Sequence, residues 1–203
     1  MALADDILDQ AYQALGIQGL TPRAKYQQID AINTELDAIH AANPINGKTT
    51  GTINERLVQL ALEGYSPDSW YHLKLKNYDW LGDFGVNAYP LSVVVSVKSF
   101  KAKERLLVSG TGTLYAPTIG WGRFDSPAEF GYKRLEKYLF RGFLAIYMPQ
   151  QTILRLTNRA RQVQNYYGRP FIRPITDFGN DLENALINQA QIGGSDLVDT
   201  ADF

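Results

Sequence analysis

The chain reads as an α/β (α+β) domain, and three observations along its 203 residues predict this. Apolar residues recur at helical spacing through the first sixty or so positions, alternation at period two takes over near residue 70, and helical patterns return after residue 126. An apolar content of 45% suits a single domain, 1–203, with an ordinary core.

Each element follows in order. Residues 3–15 predict a helix ended by Gly16; Thr21 as N-cap and Pro22 at the first helical position then open a second. Tyr26, Ile29, Ile32, Leu36 and Ile39 at spacings of three or four extend it as an amphipathic helix over 22–41. Residues 1–48 thus form a helical N-terminal part suited to packing or dimerisation. After the loop signal Asn43-Pro44-Ile45-Asn46-Gly47, a third helix is expected over about 53–63, with Glu55 in its first turn.

Tyr71, Leu73 and Leu75 alternate with His72, Lys74 and Lys76 as a half-exposed strand, and 78–84 and 92–100 continue as strands joined through Gly85, Asn87 and Pro90. This is the expected core of the sheet. Glycine-rich passages at 109–112 and Gly120-Trp121-Gly122 follow. Ser126-Pro127 opens a helix in which Glu129 completes a capping box. Residues 143–148 return as a strand, 150 to about 166 as a basic helix, and Asp177 or Asn180 caps a last helix to about residue 190. Residues 191–203 read as a flexible acidic tail.

Composition narrows the chemistry. Cysteine is absent, so disulfides, thiolate nucleophiles and cysteine metal sites are excluded, and His40 and His72 are the only imidazoles. No apolar run reaches the roughly 18 residues of a membrane span, and the first residues lack the basic region of a signal peptide, so a cytoplasmic protein with no membrane partner is expected. The net charge of −1 hides a segregation: residues 1–97 carry −5, 98–173 carry +10 and 174–203 carry −6. A basic middle interleaved with Trp121, Tyr132, Tyr138, Tyr166 and Tyr167 suits a polyanion such as nucleic acid. A solvated basic face balanced by the acidic ends is the alternative.

The chemistry centres on Asp83, in Trp80-Leu81-Gly82-Asp83-Phe84, and Lys98, closing Val93-Val94-Val95-Ser96-Val97-Lys98. Alternation turns Val93, Val95 and Val97 to one face and Ser96 and Lys98 to the other. Phosphodiester hydrolysis needs a divalent cation to neutralise the phosphate and a group to orient the attacking water. Asp83 is a hard-oxygen ligand for Mg2+, the main-chain carbonyl near Val97 is a second, and Lys98 is the orienting group. Taken singly, Asp83 also fits a turn cap beside Gly82, and Lys98 an exposed strand end.

In combination these residues follow a known order. The segment Gly51-Thr52-Ile53-Asn54-Glu55-Arg56-Leu57 is similar to a helix that contributes a glutamate to the metal site in one nuclease superfamily. Helix glutamate, strand aspartate and strand lysine then succeed one another, and over about 51–105 the chain resembles a type II restriction endonuclease of the PD-(D/E)xK superfamily. Ser96 departs from the pattern, since it occupies the position of the second acid. Glu55 or Glu104 is a candidate to restore that acid, although Thr52-x-x-Glu55 also reads as a capping box.

The resemblance implies a mixed central β-sheet flanked by helices, restriction-endonuclease-like. It also implies a homodimer clasping double-stranded DNA and Mg2+-dependent cleavage leaving 5′-phosphate and 3′-hydroxyl ends. Sequence reading then falls to residues 105–173, beyond the catalytic lysine. The candidate DNA contacts are Lys101, Lys103, Arg105, Trp121, Arg123, Lys133, Arg134, Lys137, Arg155, Arg159 and Arg161, most of them for phosphates.

Two glycine-rich readings carry less. The passage 109–113 suits a turn or a loop near the DNA backbone, and Gly47-Lys48-Thr49 has the ending of a nucleotide P-loop but Ala42 where its first glycine belongs. The alternative function is a non-catalytic DNA-binding or assembly protein.

Overall fold

The computed structural model describes residues 2–66, 71–73, 82–86, 93–98 and 117–186. Four helices come first: α1 (Ala2–Ala14), α2 (Pro22–Tyr26), α3 (Ile29–Ala42) and α4 (Gly47–Tyr65). Strands β1 (Tyr71–Leu73), β2 (Phe84–Val86), β3 (Val93–Lys98) and β4 (Thr118–Gly122) follow. A 3-10 turn, Pro127–Phe130, leads into α5 (Tyr132–Phe140), β5 (Phe143–Met148), α6 (Gln150–Leu154) and α7 (Asn158–Arg161). Last come β6 (Ile172–Pro174), a 3-10 turn and α8 (Phe178–Leu186).

The six strands form one mixed sheet in sequence order. β1, β2 and β3 pair antiparallel, and β3 to β6 pair parallel. Register separates the two faces. Val95, Ile119 and Ala145 lie opposite one another, as do Val97, Trp121 and Tyr147, and all six join the core under α1 to α4 and α8. Ser96, Gly120, Ile146 and Ile172 line the other face, where Ile146 and Ile172 pack with residues of α5, α6 and α7. Each aliphatic or aromatic side chain so buried contributes about 1.5–3 kcal/mol relative to exposure. No described helix is long and apolar enough to cross a membrane.

Several elements differ from the sequence reading for physical reasons. The helix expected over 22–41 divides after Tyr26, whose fully buried ring sends its hydroxyl to the Ile175 carbonyl at 2.8 Å; α3 restarts at Ile29. Thr21 does cap α2, accepting from the Ala24 amide. α4 begins six residues before the expected start because Asn46 caps it, its side chain accepting from the Thr49 amide at 2.9 Å. The Thr52 hydroxyl donates within the helix to the Lys48 carbonyl, so Thr52 and Glu55 do not form a capping box.

Gly120-Trp121-Gly122, noted only as a glycine-rich passage, belongs to β4, which is buried along its whole length. The Ser126 side chain caps nothing, and Gly131 parts the 3-10 turn from α5. The basic helix expected over 150–166 is two short pieces, the second started by Thr157 accepting from the Ala160 amide. Asp177 ends a 3-10 turn rather than capping, and β6 has no counterpart among the expected elements. Residues 78–81, 99–116 and 187–203 lie outside the described residues, and with them the strand start, the 109–113 passage and the acidic tail.

Candidate active site

The β2–β3 ladder pairs Phe84 with Val95. One residue earlier the pairing slips: the Asp83 amide donates to the Val95 carbonyl at 2.9 Å, out of step with that register. Gly82 allows the approach, because a Cβ there would lie 2.3 Å from Val94 Cγ1. The slip leaves the Val97 amide without a strand partner on the β2 side. The Asp83 carboxylate takes that place, Oδ2 accepting from Val97 N at 2.6 Å.

The same Oδ2 accepts from Lys98 Nζ at 3.2 Å. Both contacts fall on one oxygen, and Oδ1 has no hydrogen bond to a described residue. The side chains of Lys98 and Asp83 are 15% and 28% exposed, so the pair is sheltered yet open to a ligand. Because Val94 N donates to the Pro117 carbonyl on the β4 side, alternation directs the backbone of Val97, carbonyl included, to the side where β2 has ended.

Lys98 is held from a third direction. Asn54, fully buried in α4, donates through Nδ2 to the Lys98 carbonyl at 2.9 Å. Its own Oδ1 is buried with no partner, a state that costs about 1–3 kcal/mol. Sequence reasoning misses Asn54, although a signal is there: it is the polar member of the stripe Asn54, Leu57, Val58 and Ala61 on the buried face of a helix.

The other candidates divide. Glu55 follows Asn54 on α4 and is half-buried. Ser96 is fully buried opposite Gly120, whereas Lys98, two residues on, is half-buried. Among the described residues no three His, Asp or Glu side chains converge on a common point. Glu104, Lys101, Lys103 and Arg105 lie outside the described residues.

Two proposed DNA contacts are core residues. Trp121 is fully buried and its indole N–H donates to the Tyr26 hydroxyl at 3.1 Å, which leaves no ring face for a base. Arg123 is 4% exposed and donates to the Asn33 carbonyl and the Asp37 carboxylate; burial pulls its basicity down and Asp37 restores part of it. It lines a cleft of about 420 Å³ with Asn33, Asp37, Gln150 and Arg155 at the carboxyl ends of β4 and β5.

The remaining basic candidates lie on or beside the helices that pack over Ile146 and Ile172. Lys133 and Lys137 are exposed on α5 and Arg134 is half-buried between them. The Arg159 guanidinium stacks 3.8 Å over the Tyr132 ring, Arg155 donates to the Asp125 carbonyl at 2.6 Å, and Arg161 is tied to Asn158.

No protein-family model matches the chain, and no curated protein matches it in sequence. Among solved structures it is similar to the restriction endonuclease PspGI in complex with substrate DNA. The TM-score is 0.57 at 15% identity, over 91% of this chain and 93% of that one. The chain has the fold of a restriction endonuclease. A mixed sheet flanked by helices is the architecture that the resemblance implied, and the pair Asp83 and Lys98 stands at the carboxyl end of β3.

Proposed function

We propose that the chain is a sequence-specific endonuclease of double-stranded DNA that hydrolyses phosphodiester bonds with Mg2+. The observation that carries this reading is the contact between Asp83 and Lys98 at a sheltered strand end of a restriction-endonuclease fold. PspGI was solved with its substrate DNA, and the +10 charge of residues 98–173 suits the same class of ligand.

The donor set fits Mg2+, which favours oxygen, keeps several waters and is commonly held by one or two carboxylates together with substrate phosphates. Asp83 Oδ1 supplies a carboxylate oxygen, the Val97 carbonyl is directed to the same side, and Glu55 or Glu104 is the candidate second acid. Bound there, Mg2+ supplies charge neutralisation at the phosphate and a more acidic water. Lys98 would orient an attacking water toward phosphorus. The new P–O bond forms as the P–O3′ bond breaks; the water releases its proton to solvent and the leaving O3′ takes one up from solvent, giving 5′-phosphate and 3′-hydroxyl ends.

Lys133, Arg134, Lys137, Arg155, Arg159 and Arg161 meet phosphates in this reading. Two copies of the chain serve the two strands of the duplex. A second reading, a non-catalytic DNA-binding protein, draws on one observation: Asp83 already has a structural task at the Val97 amide. Incubation with plasmids of varied sequence and methylation separates the two. Discrete fragments with Mg2+, none with EDTA and none from Asp83→Ala or Lys98→Ala are expected; intact DNA throughout would overturn the endonuclease reading.

A further inference from the structure

We infer that Asn54 is the positioning residue for Lys98, an assignment that rests on the endonuclease reading. The Lys98 carbonyl sits in a slot. On one side Asn54 Nδ2 donates to it at 2.9 Å; on the other, Gly122 comes so close that a Cβ there would lie 2.6 Å from the same oxygen. Among the described residues Lys98 closes β3, paired with Gly122 of β4.

The ammonium hangs on a flexible four-carbon stem, so its placement depends on where the backbone is fixed. Asn54 fixes it from α4, the helix that also carries Glu55, and joins two segments 44 positions apart in sequence. The lysine and the candidate helix acid therefore share one rigid frame. Packing alone would favour an apolar residue at this place: Asn54 lies on the helix face of Leu57 and Val58, and its Oδ1 is buried without a partner. The feature that an aliphatic side chain lacks is the Nδ2 donor, and its acceptor is the lysine backbone.

The experiment uses the full chain with a duplex it cleaves. Asn54→Leu keeps the shape, removes the donor and removes the orphaned acceptor, so it is expected to fold; Asn54→Ala is the second variant. Affinity for the duplex is measured with Ca2+ in place of Mg2+, and single-turnover cleavage with Mg2+. Both variants are expected to lose at least tenfold in cleavage rate with affinity within twofold of wild type. An unchanged rate, a loss of affinity equal to the loss of rate, or unfolding of both variants would each overturn the inference while leaving the endonuclease reading intact. A wild-type chain that cleaves nothing would overturn both.

Discussion

The Asp83 carboxylate stands in for a missing strand partner of Val97, accepting its amide at 2.6 Å where the β2–β3 ladder has slipped out of register. Structure and chemistry thus meet on one side chain, and substitution separates them. Asp83→Asn keeps an acceptor for the Val97 amide but lacks the charge; Asp83→Ala keeps neither. Both are expected to abolish cleavage in a gel assay. Asp83→Asn should melt close to wild type, whereas Asp83→Ala leaves the amide unpaired and should lose about 1–3 kcal/mol in urea unfolding. Equal stability of the two variants would contradict the backbone role.

Basic residues of the middle segment should fall into two groups. Lys133 and Lys137 are exposed on α5. Lys133→Ala or Lys137→Ala should leave unfolding unchanged and lower the slope of log K against log salt by about 1 for each phosphate that the variant no longer neutralises. Arg123→Ala should leave that slope unchanged and lower stability, because the guanidinium is buried between α3 and β4 and bonded to Asn33 and Asp37. A reduced salt slope in Arg123→Ala would return it to the DNA surface.

How much was legible in the sequence depended on what each residue needs from distant segments. Residues 3–15 were readable because helical spacing defines them, 143–148 because a short unbroken apolar run suits a strand buried on both faces, and Thr21-Pro22 because a cap is local. The start of α4 was hidden by Gly47, Thr49, Thr50 and Gly51, poor helix formers that follow a strong cap at Asn46. β4 was hidden because Gly120 and Gly122 look like loop residues until β3 is laid beside them. At the site, Asp83 and Lys98 were legible by residue type and order. The hydrogen bonds of Val97 and Asn54 were not, since they depend on register across 14 and 44 positions.

Buried tyrosines set an alkaline limit to stability. Burial raises Tyr26 and Tyr147 well above their ordinary value, with Asp181 adding to the effect at Tyr147, and pushes Tyr138 up to about 12. The contribution is complete below about pH 10, where unfolded tyrosine is also protonated. Above that pH the unfolded chain releases protons that the folded chain keeps, so stability falls. Each such tyrosine should contribute about 1.4 kcal/mol of loss per pH unit. Urea midpoints measured from pH 9.5 to 11.5 should fall accordingly, and Tyr147→Phe should fall less steeply; parallel curves for wild type and variant would refute the assignment.

Gly122 tests whether the spacing of β3 and β4 governs the site. An added Cβ would lie 2.6 Å from both the Lys98 carbonyl oxygen and the Phe124 ring. Backbone is the neighbour that cannot swing aside, so Gly122→Ala should push the two strands apart at Lys98. Overpacking of this kind costs about 1–3 kcal/mol. Cleavage should fall further than stability alone explains, at least tenfold at a temperature where the variant is fully folded by circular dichroism. Gly51→Ala is the control: its Cβ meets nothing within 4 Å, it lies inside α4, and alanine there should raise stability by about 0.8–1 kcal/mol. If Gly122→Ala cleaves at the wild-type rate, the Lys98 backbone tolerates displacement, and the slot formed by Asn54 and Gly122 does not govern the lysine.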